Sequence, residues 1–182
     1  MSNQAIANRY ADALFQLAKE KNILEDVNQE LQVAKEVAQS TPEFTQFLTH
    51  PKVTNAQKQE FIQKSFGQTL SETSLHTFYL LVDRKRMDIL IPMINKFQAL
   101  AYEAQDKAEA LVYSAQPLSE QEQQQIAMVF AKKVGKSQLV VKNVVNPEII
   151  GGIKIRIGDR IYDGSVKAQL DRMERQLIAG TR

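Results

Sequence analysis

Few residues in this chain are of types that do chemistry, and their spacing excludes most of what they could do. Gly135-Lys136-Ser137 is the tail of a phosphate-binding loop consensus, but the position that requires the consensus' first glycine is Phe130. The order of elements is wrong as well. A phosphate loop leads from a strand into a helix N-terminus, whereas here a helical pattern leads into a strand pattern, so Gly135 reads as a helix C-cap. Gly151-Gly152 precedes a strand, which argues against a dinucleotide loop and for a bend or bulge. Asp159 and Asp163 could form a carboxylate pair, but the preference of Asp for turns explains both. His50 and His76 stand 26 positions apart with no partner that sequence nominates, and neither is assigned a role. With no Cys there is no disulfide, thiolate metal site or cysteine nucleophile. The expectation is a protein that is not an enzyme, with no catalytic residues, no cofactor and no metal. An enzyme with a site between domains is the disfavoured alternative, since no nucleophile–base pair appears.

The frame that must carry these residues is ordinary in composition. Of 182 residues, 43% are hydrophobic and 24% charged, which excludes disorder and low complexity and allows one domain or two small ones. No apolar stretch approaches the roughly 20 residues of a membrane span. Met1-Ser2-Asn3-Gln4 lacks a basic region, and Arg9, Asp12 and Gln16 interrupt the next segment, so no signal peptide and a soluble, cytosolic chain are expected. Residues 1–105 carry 11 Lys and Arg against 12 Asp and Glu, and residues 106–182 carry 12 against 9. That contrast marks a compositional seam, and is weaker than nucleic-acid binders usually show.

The first 105 residues read as helices. Ile6, Tyr10, Ala13, Leu14 and Leu17 have the spacing of an amphipathic helix over about 5–21. Leu24, Val27, Leu31, Ala34 and Ala38 define a second. Thr41-Pro42 predicts a hydroxyl N-cap followed by proline at the first helical position, opening a short third helix that ends before His50-Pro51. Thr54 with Gln57 fits a capping box for a fourth helix that Gly67 closes, and Ser71 caps a fifth running to about Arg84. Asp88 is expected to cap a sixth reaching about Gln105, with Pro92 in or next to its first turn.

Beyond residue 106 the period changes. Residues 109–114 read as a strand, and Ser119 with Glu122 as a capping box for a helix ending at Gly135. Residues 139–145 read as a Val-rich strand. In Ile153-Lys154-Ile155-Arg156-Ile157 three Ile alternate with two cations, a half-buried strand. Gly158-Asp159 turns the chain back through Ile161-Tyr162, and Ser165 caps a last helix from Val166 to Ala179. The fold class is therefore mainly α: an N-terminal six-helix bundle, 1–105, followed by a small α+β domain, 106–182.

Two segments exceed what a plain bundle needs. Phe78-Tyr79-Leu80-Leu81-Val82 covers all sides of its helix, so that helix is either central or covered by a partner. Tyr10, Ala13 and Leu14 give the first helix a broad face of one aromatic and small groups, of the kind that lines a helix-binding groove. Arg84-Lys85-Arg86 lies at a helix end, where cations complement the dipole.

The run from Ile149 to Val166, with Gly151, Gly152, Gly158, Asp163 and Gly164, resembles the signature of the delta subunit of bacterial F-type ATP synthases, the oligomycin-sensitivity-conferring protein family. Arg9-Tyr10-Ala11, Ala13-Leu14 and Arg86-Met87 are also similar to the family, and the resemblance spans the whole chain. It implies a non-catalytic stator subunit of a proton-translocating ATP synthase, on the cytoplasmic face of the bacterial cell membrane and joined to it only through the complex. The bundle would hold the N-terminal helix of an alpha subunit of the catalytic head, between the first and fifth helices. By resemblance, Tyr10, Ala13 and Leu14 form one wall, with Phe78, Leu80, Leu81 and Val82 on the other. The C-terminal domain would hold the b subunits of the peripheral stalk. Its last helix carries Val166, Leu170, Met173, Leu177 and Ile178, a stripe more than wide enough for one sheet face. Lys154 and Arg156 are expected to matter much less for that attachment. No nucleic-acid partner is expected; the alternative reading is a basic α+β adaptor that binds nucleic acid through those two cations.

Overall fold

The computed structural model describes residues 2–179, with side chains through Gln176. The chain divides into two compact units, Met1–Ala101 and Tyr102–Arg182. The division falls a turn earlier than the change of sequence period. Ala101 is the last fully buried residue of the sixth helix, which continues helically for three more residues.

Six α-helices build the first unit: α1 (Asn3–Glu20), α2 (Leu24–Ser40), α3 (Pro42–Thr49), α4 (Asn55–Phe66), α5 (Glu72–Asp83) and α6 (Leu90–Ala104). A 3₁₀ turn, Met87–Ile89, leads into α6. The core face of α1 is Ala7, Ala11, Leu14 and Ala18, and that of α2 is Val27, Leu31, Ala34 and Ala38. The alanines leave room for neighbouring helices to approach, and larger groups fill the other end. Phe44 packs against Phe61 and Phe66 with centroids 5.7 and 5.5 Å apart, and Phe66 meets Phe78 edge-on. Such aromatic pairs add about 0.5–1.5 kcal/mol each beyond the area they bury.

Helix ends follow the sequence in part. Thr54 and Gln57 form the full capping box, and the Ser71 hydroxyl accepts from the Ser74 N–H. Two expected caps are corrected. The Thr41 hydroxyl makes no capping bond, because its backbone belongs at once to the end of α2 and the start of α3, and Pro42 alone supplies the start. Asp88 lies inside the 3₁₀ turn, and its carboxylate accepts from Asn3 Nδ2 at 2.8 Å, tying the start of α1 to the approach to α6. Pro92 sits third in α6, where a missing N–H costs no intrahelical bond.

In the second unit, β1 (Lys107–Ser114), β2 (Gln138–Val145), β3 (Ile153–Ile157) and β4 (Arg160–Asp163) form one sheet in the order β2-β1-β3-β4. β1 and β2 are parallel and joined through α7 (Glu120–Val134), while β3 pairs antiparallel with β1 and β4. α7 opens on the Ser119–Glu122 capping box and closes at Gly135, which takes the left-handed conformation, φ 70°. One sheet face, with Ala110, Val112, Leu139, Ile155 and Ile157, is buried with Ala131 of α7; Phe130 and Tyr162 pack against the same core. Asn143 ties the approach to α7: its Oδ1 accepts from Leu118 N–H, and its Nδ2 donates to Val112 O and Ser114 Oγ. The last helix, α8 (Val166–Ala179), starts where the Ser165 hydroxyl accepts from Ala168 N–H. It does not cover the sheet: from Val166 to Gln176 every side chain is exposed except half-buried Ala168.

Candidate functional site

A groove of about 370 Å³ runs between α1 and α5. Leu17 and Leu80 form its apolar part, Thr73 and Thr77 lie between them, and Lys21, Glu72 and His76 complete the lining. Helical periodicity explains this lining. On α5 the core stripe is Ser74, Leu75, Phe78, Leu81 and Val82, and the adjacent stripe, Thr73, Thr77 and Leu80, faces the groove. The Thr77 hydroxyl donates to Thr73 O at 2.9 Å and Lys21 Nζ donates to Thr73 Oγ1 at 3.4 Å. Leu17 and Leu80 remain 38% and 44% exposed, so apolar area here is still open to a partner.

The structure moves Leu14, Phe78, Leu81 and Val82 from the expected groove wall into the bundle core, at 3% exposure or less. The five-residue apolar run resolves accordingly. Phe78, Leu81 and Val82 are central, Tyr79 turns toward α4 and donates to Gln63 Oε1, and only Leu80 of the run is exposed. On α1, Ala13 is exposed and Tyr10 half-buried; they lie one and two turns before Leu17, outside the groove lining. Leu17, Thr73 and Thr77 line the groove and are absent from the walls expected from the sequence. The spacing of Thr73, Thr77 and Leu80 at i, i+4 and i+7 is the signal that would have found them.

What fixes the α5 wall is a carboxylate from another helix. Glu30 of α2 accepts from the Ser71 N–H at 2.9 Å and from the Ser71 and Ser74 hydroxyls at 2.8 and 2.5 Å. An anion at a helix N-terminus satisfies orphan donors and complements the dipole.

In the second unit the glycine signature is a backbone joint. Gly164 N–H donates to Ile153 O and Val166 N–H to Gly151 O, both at 3.0 Å, so the start of β3 and the start of α8 are locked together. Gly152 has φ 77°, and a Cβ there would lie 2.4 Å from Gly164 O. Gly158, φ 56°, is the first residue of the two-residue hairpin turn. The Asp163 carboxylate accepts from Ser165 N–H at 2.9 Å, and hydrogen bonding from Ser165 holds it below its usual pKa. Asp159 is an exposed turn residue. These residues build the joint that aims α8, on which Val166, Leu170 and Met173 are 39%, 57% and 58% exposed. The side chains of Leu177 and Ile178 lie outside the described residues.

The remaining sequence candidates have structural partners. Lys136 pairs with Asp106 at 3.0 Å, and Ser137 N–H and hydroxyl both bond to Asp106, which closes the start of the β1–β2 pair. Hydrogen bonding from Lys136 holds the Asp106 carboxyl below its usual pKa. His50 Nδ1 accepts from Lys52 N–H, and His76 sits on the groove rim. Lys85, φ 54°, is the left-handed residue of the α5 C-cap, in which Arg86 N–H donates to Leu81 O. Among the described residues no cluster of His, Asp or Glu could hold a metal ion.

The helical unit thus has a groove with two exposed leucines, and the α+β unit an amphipathic helix whose apolar stripe is uncovered. The comparisons give the class. The family described as ATP synthase delta (OSCP) subunit matches residues 6–177. ATP synthase subunit delta of Alkalihalophilus pseudofirmus is 65% identical over 182 residues, and that of Halalkalibacterium halodurans 56%, each covering 100% of both chains. Among solved structures, a chain of the Toxoplasma gondii mitochondrial ATP synthase hexamer is 26% identical with a TM-score of 0.75, covering 94% of this chain and 97% of that one.

This chain belongs to the ATP synthase delta (OSCP) subunit family. It is a structural, peripheral subunit of an ATP synthase complex.

Proposed function

We propose that the chain is the non-catalytic connector of the stator, holding the catalytic head to the peripheral stalk so that the head resists rotor torque. The first unit takes the N-terminal helix of an alpha subunit in the α1–α5 groove. The second takes the b subunits, with the exposed stripe of α8 as an attachment surface. The observation that carries this reading is that each unit leaves an apolar helix surface open: Leu17 and Leu80 in one, Leu170 and Met173 in the other. None of the described helices is long and apolar enough to cross a membrane, which fits attachment to the cytoplasmic face through the complex alone.

The mechanism is mechanical. A partner side chain seated between Leu17 and Leu80 gains a large part of the roughly 1.5–3 kcal/mol of a buried aliphatic group, and a few such anchors offset the cost of association. Towards the assembled complex, in which head and stalk are held together, the two attachments act bivalently: when one releases, the other keeps the chain beside the site it has left, at high effective concentration. The joint around Gly152, Gly164 and Asp163 fixes the first turn of α8 to the sheet, giving the pull a rigid point of application. Affinity purification of the tagged chain from native membranes tests the proposal: head and stalk subunits should co-elute together. Co-elution of neither would refute it.

A further inference from the structure

The sheet of the second unit has a second face that α7 does not cover, and a groove of about 380 Å³ lies on it. Lys154, Arg156 and Lys167 bring three cations to this groove, and Tyr113, Ile150 and Ile161 line it with apolar surface. The strand register accounts for the mixture. Ile153, Ile155 and Ile157 point to the α7 side, so Lys154 and Arg156 emerge opposite, beside their cross-strand partners Tyr113 and Ile161. Ile150 is 81% and Ile161 57% exposed. Glu148 and Asp163 are the groove's carboxylates, and Asp163 is already engaged by Ser165 N–H. Among the described residues none of the three cations forms an ion pair. Lys154 stands opposite Asp163 across the β3–β4 pair and helps lower its pKa, so three cations face two carboxylates and the groove carries a net excess of one positive charge next to uncovered apolar surface.

We infer that this open sheet face receives an acidic amphipathic helix, its apolar side on Ile161 and Tyr113 and its carboxylates over Lys154, Arg156 and Lys167. A helix is required because the floor is a sheet face, not an edge. It offers no ladder of backbone donors and acceptors, so the occupant must satisfy its own backbone. A nucleic acid fits less well, because Glu148 and the isoleucines would lie against phosphate. The groove adjoins α8, since Val166 N–H bonds Gly151 O next to Ile150. In naming its occupant as the end of a stalk subunit, the inference rests on the function proposed above. It assigns to Lys154 and Arg156 a larger part than the bare strand pattern gives them.

The test uses the full chain and two labelled helical peptides of about twenty residues, long enough to hold a helix, with one Leu stripe flanked by Glu or by Lys. A single-stranded DNA of similar length is the third probe. The Glu peptide should bind at least about tenfold more tightly than the Lys peptide and weaken several-fold between about 50 and about 300 mM salt. Lys154→Glu/Arg156→Glu/Lys167→Glu should cost the Glu peptide about tenfold in affinity, with the circular dichroism spectrum unchanged. Ile161→Asp, which leaves the cations in place, should weaken it as well. Equal binding of the two peptides, or no effect of the triple reversal, overturns the inference. So does DNA that binds more tightly than the Glu peptide and is lost in the triple variant. Membranes that keep the stalk but lack this chain separate the two proposals. If they bind wild type and the triple variant equally but not Leu170→Asp/Met173→Asp, the sheet-face site is wrong and the connector stands. If they bind no form of the chain, the connector is wrong and the peptide arm alone decides the site.

Discussion

Replacing Leu17 and Leu80 together by Asn separates the α1–α5 groove from the core beneath it. Asn has nearly the shape of Leu, carries no charge that Lys21 could pair with, and presents an amide where the partner's apolar side chain must sit. The two leucines are 38% and 44% exposed, so roughly two-fifths of each remains to be covered on docking. At about 1.5–3 kcal/mol for complete burial, that coverage contributes about 0.6–1.2 kcal/mol per residue. Burying two amides without partners adds about 1 kcal/mol or more each, so the double variant should lose about 3 kcal/mol of binding, near a hundredfold in Kd. Its folding cost is about 1 kcal/mol in helix propensity plus about 2–3.5 kcal/mol for the three-fifths of each leucine already buried in the bundle, so binding is measured on the variant shown to be folded by circular dichroism. Leu81→Ala is the contrast. Leu81 is fully buried, so the change should cost about 2–5 kcal/mol of stability while leaving the groove surface as it was. Urea denaturation measures the stability cost, and calorimetry with a peptide of the alpha subunit's N-terminal segment measures the binding loss. If Leu81→Ala abolished binding while still folded and the Asn pair bound normally, the groove would be the wrong surface.

Three further outcomes rest on the same geometry. Glu30→Gln weakens the bonds to Ser71 and Ser74 and should destabilise the first unit by about 1–2 kcal/mol, read by urea denaturation, with the peptide affinity of the folded variant little changed. Gly152→Ala combines a left-handed φ with a Cβ at 2.4 Å from Gly164 O; it should cost at least about 2 kcal/mol, read as loss of amide-exchange protection in β3 and β4. Because the folded pKa of Asp163 is lowered, its bond to Ser165 contributes stability above the unfolded pKa of about 4 and loses it as pH falls through the folded value. The stability difference between wild type and Asp163→Ala should therefore be full near neutrality and shrink steadily in acid below about pH 4, which denaturation at a series of pH values measures.

The mainly helical class and most element boundaries were legible because the local signals agree with the packing. The capping boxes at Thr54 and Ser119, the alternation over 153–157 and the left-handed Gly135 all say locally what the fold does globally. Where a residue's role depends on a distant segment, the sequence was silent. Asp88 looks like a cap but binds Asn3, and the Ser71 cap depends on Glu30, 41 positions away. Left-handed C-caps at Asn22 and Lys85 carry no glycine to mark them. A groove does lie between α1 and α5, but of the residues expected to wall it only Leu80 lines it, and Leu14, Phe78, Leu81 and Val82 are core. A continuous apolar run names a helix without saying which side is core, and that side is set by α2, α4 and the 3₁₀ turn before α6. Likewise Lys154 and Arg156 were visible as a cationic strand face, but only the register with β1 and β4 sets them beside Tyr113 and Ile161.

The connector itself is tested most directly by rebuilding the attachment. Membranes stripped of both the catalytic head and this chain are supplied with purified head, and head rebinding is measured with and without the added chain. Wild type should restore rebinding. Leu17→Asn/Leu80→Asn and a truncation after Gly164 should each fail, the first still binding the membrane stalk and the second still binding the head. Head that rebinds equally well without the chain, or with the truncated form, would contradict the account.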